Sequence, residues 1–167
     1  GAANPTGGTG NYAVVENNGQ ITQTALQNPI IDLSFATAAV LRFNSFFYFY
    51  LLETVNVDVS VNGGTSWSPA WSQQGFSNIP TLHTLDLTSA IAGQAHVMLR
   101  FRFQSSAVIS DFGYWQIDNI LSVCDDALDT RISDRPPALH YHYSDVVAAI
   151  PIQGQLHQLQ TGLFTII

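Results

Sequence analysis

The sequence contains no lysine, and its cationic side chains are five arginines set against twelve aspartates and glutamates. Charged residues make up 10% of the chain, less than half of the ~25% that is usual for a globular domain. The net charge is −7, and the sequence has no basic cluster. Because nucleic-acid recognition requires concentrated Lys and Arg, this composition argues against a nucleic-acid partner. Neutral polar residues replace the missing charges, which favours an extracellular or cell-surface location.

Cysteine is represented by Cys124 alone, so the chain cannot form a disulfide within itself. This thiol is either buried and inert or available for a bond to another chain. Long apolar stretches are missing as well. The longest, from Phe46 to Leu52, is far shorter than the ~20 residues that a membrane-spanning helix needs. No membrane span is therefore predicted.

Period-two alternation, rather than helical periodicity, runs through most of the chain. Val55, Val57 and Val59 alternate with polar residues, and residues 97–104 and 115–123 repeat the pattern. Such alternation is typical of strands with one buried and one wet face. Glycine, proline and asparagine separate these runs at short intervals. The sequence therefore predicts an all-β fold, an antiparallel jelly-roll β-sandwich.

The composition changes after Cys124. Aspartates and the pair Pro136-Pro137 interrupt the alternation, and the remaining residues have strand character but weak turn signals. We therefore divide the chain into a sandwich domain, residues 1–124, and a linker with a C-terminal extension, residues 125–167. The extension is expected to dock on its own sandwich or on a neighbouring one.

The most specific local motif lies between two predicted strands and comprises Ser60, Asn62, Gly64, Ser66 and Trp67. It resembles the Asp-box, Ser-x-Asp-x-Gly-x-Thr-Trp, with asparagine in the Asp position and serine in the Thr position. The asparagine can hydrogen-bond the turn, the glycine supplies a positive φ, and the tryptophan packs beneath the loop. We interpret the motif as structural rather than catalytic.

Four further segments extend this resemblance: residues 24–34, 85–94, 99–103 and 114–120. In order and spacing they look like a group of jelly-roll modules that includes reelin subrepeats, MAM-like domains and bacterial cleaved-adhesin domains. The likeness spans roughly residues 8–123 and leaves the C-terminal extension unmatched. It implies a non-enzymatic module of adhesins, matrix proteins or secreted hydrolases.

Members of this group often carry a structural calcium ion between the N-terminal segment and the final strand. The matching positions here are Glu16 and Asp118. Calcium prefers several oxygen ligands, carboxylates among them. The resemblance therefore implies a structural Ca²⁺ held by these two side chains, while the alternative is that Asp118 only caps a turn through hydrogen bonds.

Catalytic arrangements are poorly represented. The sequence has no Gly-x-Ser-x-Gly nucleophile elbow, and its only glutamates are Glu16 and Glu53. A glycosidase pair would therefore need aspartate partners at a spacing that the sequence does not define. We do not expect an enzyme.

Two functions remain open. The first is an extracellular structural or adhesive module, a filament or surface-assembly subunit that pairs with other copies of itself. Its C-terminal strand would be donated to the sheet edge of a neighbour. The residues assigned to this donated strand are Gly162, Leu163, Phe164, Thr165, Ile166 and Ile167.

The alternative is a carbohydrate-binding accessory module of a secreted protein. Tryptophan side chains can stack on sugar rings, and the chain has three of them. Trp67 and Trp115 are better explained as core residues. Trp71, which follows Ser68-Pro69-Ala70, is the predicted exposed candidate for glycan binding.

Overall fold

The computed structural model describes residues 4–8, 11–17, 21–48, 53–75, 77–105, 113–126, 141–142 and 165–166. Within these residues, ten strands and one helical turn follow one another. They are β1 (Ala13–Glu16), β2 (Gln23–Gln27), β3 (Ala36–Tyr48), β4 (Glu53–Ser60), β5 (Ser68–Gln74), β6 (Thr81–Asp86), α1 (Thr88–Ile91), β7 (Met98–Ser105), β8 (Tyr114–Asp126), β9 (Tyr141–His142) and β10 (Thr165–Ile166).

The strands form two antiparallel sheets. Sheet A has the order β1-β8-β3-β6, with β9 also paired to β8, and sheet B has the order β10-β2-β7-β4-β5. From β2 to β8 most connections pass from one sheet to the other, as in a jelly roll. The predicted all-β antiparallel sandwich is confirmed. Within the described residues, no helix is long and apolar enough to cross a membrane.

The core lies between the sheets and follows from the alternation in the sequence. Strand β4 turns Val55 and Val57 inward, where both are fully buried. Strand β7 adds Phe101 and Phe103, and these pack against aromatic residues of β3 such as Phe43. Burying a side chain of this size contributes about 1.5–3 kcal/mol. The inward positions therefore hold the two sheets face to face.

Strand β8 contains a bulge beside the middle of β3. Asn44 pairs with Asp118 and Arg42 pairs with Leu121, so two residues of β8 lie opposite Phe43 alone. Asn119, at the bulge, has a φ of 49°, a left-handed conformation that asparagine adopts more readily than most residues. The bulge leaves Asp118 on the outer face of sheet A.

The C-terminal extension touches its own sandwich in two places. Strand β8 continues to Asp126, two residues beyond the predicted boundary, and pairs with β9 through Leu121 and His142. Strand β10 pairs with β2 through Ile166 and Leu26. Residues 127–140, 143–164 and 167 lie outside the described residues. The division of the chain at residue 124 stays a prediction.

Candidate functional site

The hairpin between β4 and β5 is held together by short hydrogen bonds. The Ser60 hydroxyl donates to Asn62 Oδ1 over 2.9 Å and accepts from the backbone N–H of Gly64, also over 2.9 Å. Asn62 Oδ1 also accepts from the Ser66 N–H at 2.9 Å. Gly64 has a φ of +86°, and a side chain there would meet Trp67 and Met98. These contacts hold the turn in one conformation. The resemblance of its sequence to the Asp-box stays a prediction.

The two tryptophans near this turn exchange the environments that the sequence suggested. Trp71 is half-buried and packs against the core, with its ring centroid 5.8 Å from Phe43 and 4.6 Å from His83. Trp67 lies on the outer face of sheet B, with the Arg100 guanidinium 4.3 Å above its ring. Residues four apart in a regular strand face the same side, but a register shift between β4 and β5 beside Val57 places these two rings on opposite faces of sheet B. Trp71 is therefore directed toward the core rather than outward, and glycan binding by it stays a prediction.

His83 closes the same edge of the core. Its ring stacks on Phe43 with centroids 4.7 Å apart, and its Nε2 lies 3.1 Å from the Ser45 hydroxyl. Burial lowers the pKa of His83 below its ordinary value, because the charged imidazolium loses its hydration there. This histidine therefore serves packing between the two sheets.

Glu16 and Asp118 do not come together. Glu16 pairs with Tyr114, four residues before Asp118 on β8, which separates the two by roughly 13 Å along the strand. Asp118 is instead buried under the N-terminal loop, where its Oδ2 accepts from Asn4 Nδ2 at 2.7 Å. Its Oδ1 accepts from the Asn119 N–H. The structure thus brings Asp118 to Asn4, not to Glu16.

The described residues contain no group of three or more His, Cys, Asp or Glu side chains placed to hold a metal ion. Both oxygens of Asp118 already accept N–H donors, whereas calcium takes six to eight oxygen ligands. The predicted pair of Glu16 and Asp118 therefore does not fit one ion. Calcium binding as such stays a prediction.

The outer face of sheet A carries an aromatic row, which we define as Phe46, Tyr114 and Tyr48. Tyr114 is the middle ring, with its centroid 6.0 Å from Phe46 and 5.4 Å from Tyr48. Both pairs have ring planes 19° apart, an offset-stacked arrangement that aromatic pairs favour. All three side chains are partly exposed. A contiguous aromatic surface of this kind is typical of a binding site.

Gln116 lies beside the aromatic row, opposite Val14 of β1 and Phe46 of β3. Its side chain is 9% exposed, and its Oε1 has no hydrogen-bond partner. A buried carbonyl oxygen without a donor costs about 1–3 kcal/mol, so this acceptor lowers the stability of sheet A locally.

Glu16 and Tyr12 complete the surroundings of the row. Burial, followed by the nearby Tyr48, Glu16 and Tyr12, raises the pKa of Tyr114 above its ordinary value. The phenol therefore stays protonated at neutral pH and can donate or accept a hydrogen bond. This end of sheet A combines stacked rings, phenolic hydroxyls and one carboxylate, with no cation among its described residues.

A buried clamp fixes the strand that carries Tyr114. Asn17 Nδ2 donates to Glu53 Oε1 over 2.7 Å, and the Gly113 N–H donates to Asn17 Oδ1 over 3.0 Å. Glu53 belongs to sheet B and is 1% exposed, so the clamp joins the two sheets. A Cβ atom at Gly113 would lie 2.9 Å from Glu53 Oε1. A side chain immediately before Tyr114 would therefore require Glu53 to shift.

Sequence reasoning missed the aromatic row. Strand β3 lies between β8 and β6, so both of its edges are paired. Phe47 points into the core and is almost completely buried, but Phe46 and Tyr48 alternate with it and face outward. Two aromatics at i and i+2 on the non-core face were the signal available.

A second polar arrangement lies on the outer face of sheet B. Asp58, on β4, is 2% exposed and accepts hydrogen bonds of 2.8 Å from the Nε atoms of Arg100 and Arg102 on β7. Burial alone would raise the pKa of Asp58, but hydrogen bonds from Arg102 and then Arg100 outweigh it and lower that pKa. One carboxylate is therefore shared by two guanidinium groups.

The residues predicted for strand donation are described only in part. Thr165 and Ile166 form β10, which pairs with Gln27 and Leu26 of the same chain. Gly162, Leu163, Phe164 and Ile167 lie outside the described residues. The edge of sheet B that β10 covers is the one formed by β2.

Comparison with known proteins gives little beyond the fold. No family model matches the chain, and no curated protein matches it. One solved structure, described as "CBM4 structure and function", is similar with 12% sequence identity and a TM-score of 0.32, over 67% of this chain and 73% of that one. A likeness at this level shows nothing about the function of this chain.

Proposed function

We propose that this chain is a non-catalytic, extracellular β-sandwich module that binds a glycan on the outer face of sheet A. The observation that carries the proposal is the partly exposed aromatic row of Phe46, Tyr114 and Tyr48. Ligand sites typically combine apolar or aromatic surface with a few fixed polar groups. Sugar rings offer both an apolar C–H face and hydroxyl donors.

The charge around the aromatic row indicates which class of glycan it can bind. Glu16 is exposed at the end of β1, opposite Tyr114, and would repel a carboxylate or sulfate. The row therefore fits an uncharged glycan better than an acidic one.

Binding of the full chain to an array of neutral polysaccharides and oligosaccharides tests the proposal. Tyr114→Ala removes the middle ring and is expected to weaken binding at least about tenfold, since central aromatic side chains carry a large share of interface energy. Phe35→Ala is the matched control, because Phe35 is 67% exposed and precedes the far end of β3. An array without neutral ligands, or equal losses in both variants, would contradict the proposal.

A second candidate function is assembly through the C-terminal strand. The pairing of β10 with β2 supports it, because the edge of sheet B accepts a strand from this extension. If the same strand paired with β2 of a neighbouring copy, a head-to-tail chain would result. Such a chain would make the protein a filament or surface-assembly subunit.

Truncation after Asp134 tests this second function. The shortened chain should remain a folded monomer, while the full chain should form oligomers in analytical ultracentrifugation. Polymerisation of the shortened chain would show that the extension is not the donated strand. A full chain that stays monomeric over the accessible concentration range would also rule out assembly by strand exchange.

A further inference from the structure

The outer face of sheet B holds more positive than negative charge. Arg100 and Arg102 point outward from β7, and Asp58 is the single carboxylate at the outward positions of strands β2, β7, β4 and β5. Their neighbours across the strands are Gln27 and Asn56, both neutral amides. A chain with a net charge of −7 thus keeps one uncompensated cation on this surface.

Arg100 and Arg102 differ in how many of their N–H groups already donate hydrogen bonds. Arg102 donates Nε and Nη2 to Asp58 and Nη1 to Gln104 Oε1, so its fork is engaged. Arg100 donates only Nε to Asp58, and its two Nη groups have no hydrogen-bond partner among the described residues. Up to four N–H donors of Arg100 are therefore left for a ligand.

Arg100 is also held in place before any ligand arrives. Its Nε is fixed by Asp58 over 2.8 Å, and its guanidinium lies 4.3 Å above the ring of Trp67. The side chain remains 21% exposed. Trp67 is itself fixed beneath the β4–β5 turn, near Gly64. A preorganised guanidinium loses little conformational entropy on binding, which favours a two-oxygen anion in the bidentate geometry.

We propose that Arg100, supported by Asp58 and Trp67, forms an anion site on the outer face of sheet B that binds the carboxylate or sulfate group of an acidic glycan. The amide of Gln104 accepts from Arg102 through its Oε1, and its Nε2 can donate to a sugar hydroxyl. This site lies on the sheet opposite the aromatic row and does not depend on it.

Titration of the full chain with three probes tests the proposal: an oligogalacturonate for the carboxylate, a sulfated oligosaccharide for the sulfate, and a neutral cello-oligosaccharide as reference. At least one acidic probe should bind, and Arg100→Gln should weaken it about tenfold or more, the effect of losing a charged hydrogen bond. Which acidic probe binds identifies the anion. Affinity should fall as salt is raised.

Arg42→Gln is the matched control, because Arg42 is an exposed arginine on sheet A and the substitution makes the same charge change. If Arg100→Gln does not fold, Arg100→Lys keeps the charge, removes the fork and should still lose bidentate affinity. The proposal is overturned if neither acidic probe binds, or if Arg42→Gln weakens binding as much. Tyr114→Ala should leave acidic binding unchanged, which separates this site from the one on sheet A.

Discussion

Tyr48 and Tyr114 lie directly opposite each other on β3 and β8, with ring centroids 5.4 Å apart and planes within 19° of parallel. Both are on the outer face of sheet A, where a purely structural sheet would be expected to present polar side chains. Their partial exposure leaves aromatic surface open to a ligand. The proposed glycan site is therefore centred on this pair.

Gln116→Leu should show that the buried carbonyl oxygen lowers the stability of the fold. The Gln116 carbonyl oxygen is buried and unpaired, so its replacement by an apolar side chain of similar size should leave the free energy of unfolding unchanged or raise it by up to about 1 kcal/mol. Binding of a neutral glycan should be retained, because a ligand on the aromatic row cannot reach this atom. Chemical denaturation and a binding titration on the same variant measure both effects. A loss of stability, or a loss of binding, would contradict this prediction.

Gly113→Ala should lower both the stability of the fold and the affinity for a glycan. The added methyl group would lie 2.9 Å from Glu53 Oε1, and relieving that contact should cost about 1–3 kcal/mol of stability. Because Gly113 precedes Tyr114, glycan binding should weaken as well. Thermal unfolding and titration provide the readouts.

A double-mutant cycle with Glu53→Ala supplies the control for that prediction. If the contact between the new methyl group and Glu53 is the cause, Gly113→Ala should cost less stability in the Glu53→Ala background. Additive losses in the cycle would show that the two positions do not interact.

The stability of the fold should fall as the pH is lowered through the titration of histidine. The pKa of His83 is lower in the folded state than in the unfolded chain. At a pH between these two pKa values, the unfolded state therefore binds more protons than the folded state. The contribution of His83 is therefore fully present above about pH 6.5, the unfolded value, and is lost below it. Denaturation curves between pH 8 and pH 5 measure this effect.

His83→Phe should remove the slope in that window, because Phe43 and Trp71 surround the ring and the new side chain keeps the aromatic contacts. His96→Asn is the control, since His96 is exposed, and it should retain the slope. Asp58, Asp32 and Asp86 have lowered pKa values and act only at more acidic pH. A slope that survives in His83→Phe would contradict the assignment.

The calcium prediction has a direct test in the melting temperature of the full chain with and without a chelator. A cation that binds only the folded state must raise the melting temperature. If calcium acts at Asp118, the shift should disappear in Asp118→Asn and persist in Glu16→Gln, because the structure separates these two side chains. No shift, with no metal found by elemental analysis, would end the calcium hypothesis.

The sequence was informative where one periodic pattern controls the structure. The alternation around Val55 and Val57 predicted their burial, and both valines are buried in β4. The predicted wet face of this strand is wrong, because Asn56, Asp58 and Ser60 are buried too. The sequence pattern failed for Trp67 and Trp71, because a bulge between β4 and β5 places these two residues on opposite faces of the sheet, with Trp71 toward the core. No local pattern in the sequence marks that bulge.

The candidate sites were less predictable, because they depend on pairing between distant strands. Tyr48 and Tyr114 are 66 positions apart in the sequence and meet only through the register of β3 with β8. Asp58 and Arg100 meet in the same way through β4 and β7. The motif that the sequence did highlight, around Asn62, forms a hydrogen-bonded turn.

Chemical-shift mapping of the full chain with a neutral oligosaccharide tests whether the aromatic row binds a glycan. If it does, the largest perturbations should fall on Phe46, Tyr48, Tyr114 and Gln116. Arg100 and Trp67, on the opposite sheet, should stay unperturbed. Perturbations confined to the Arg100 surface, or none at saturating oligosaccharide, would contradict glycan binding on the outer face of sheet A.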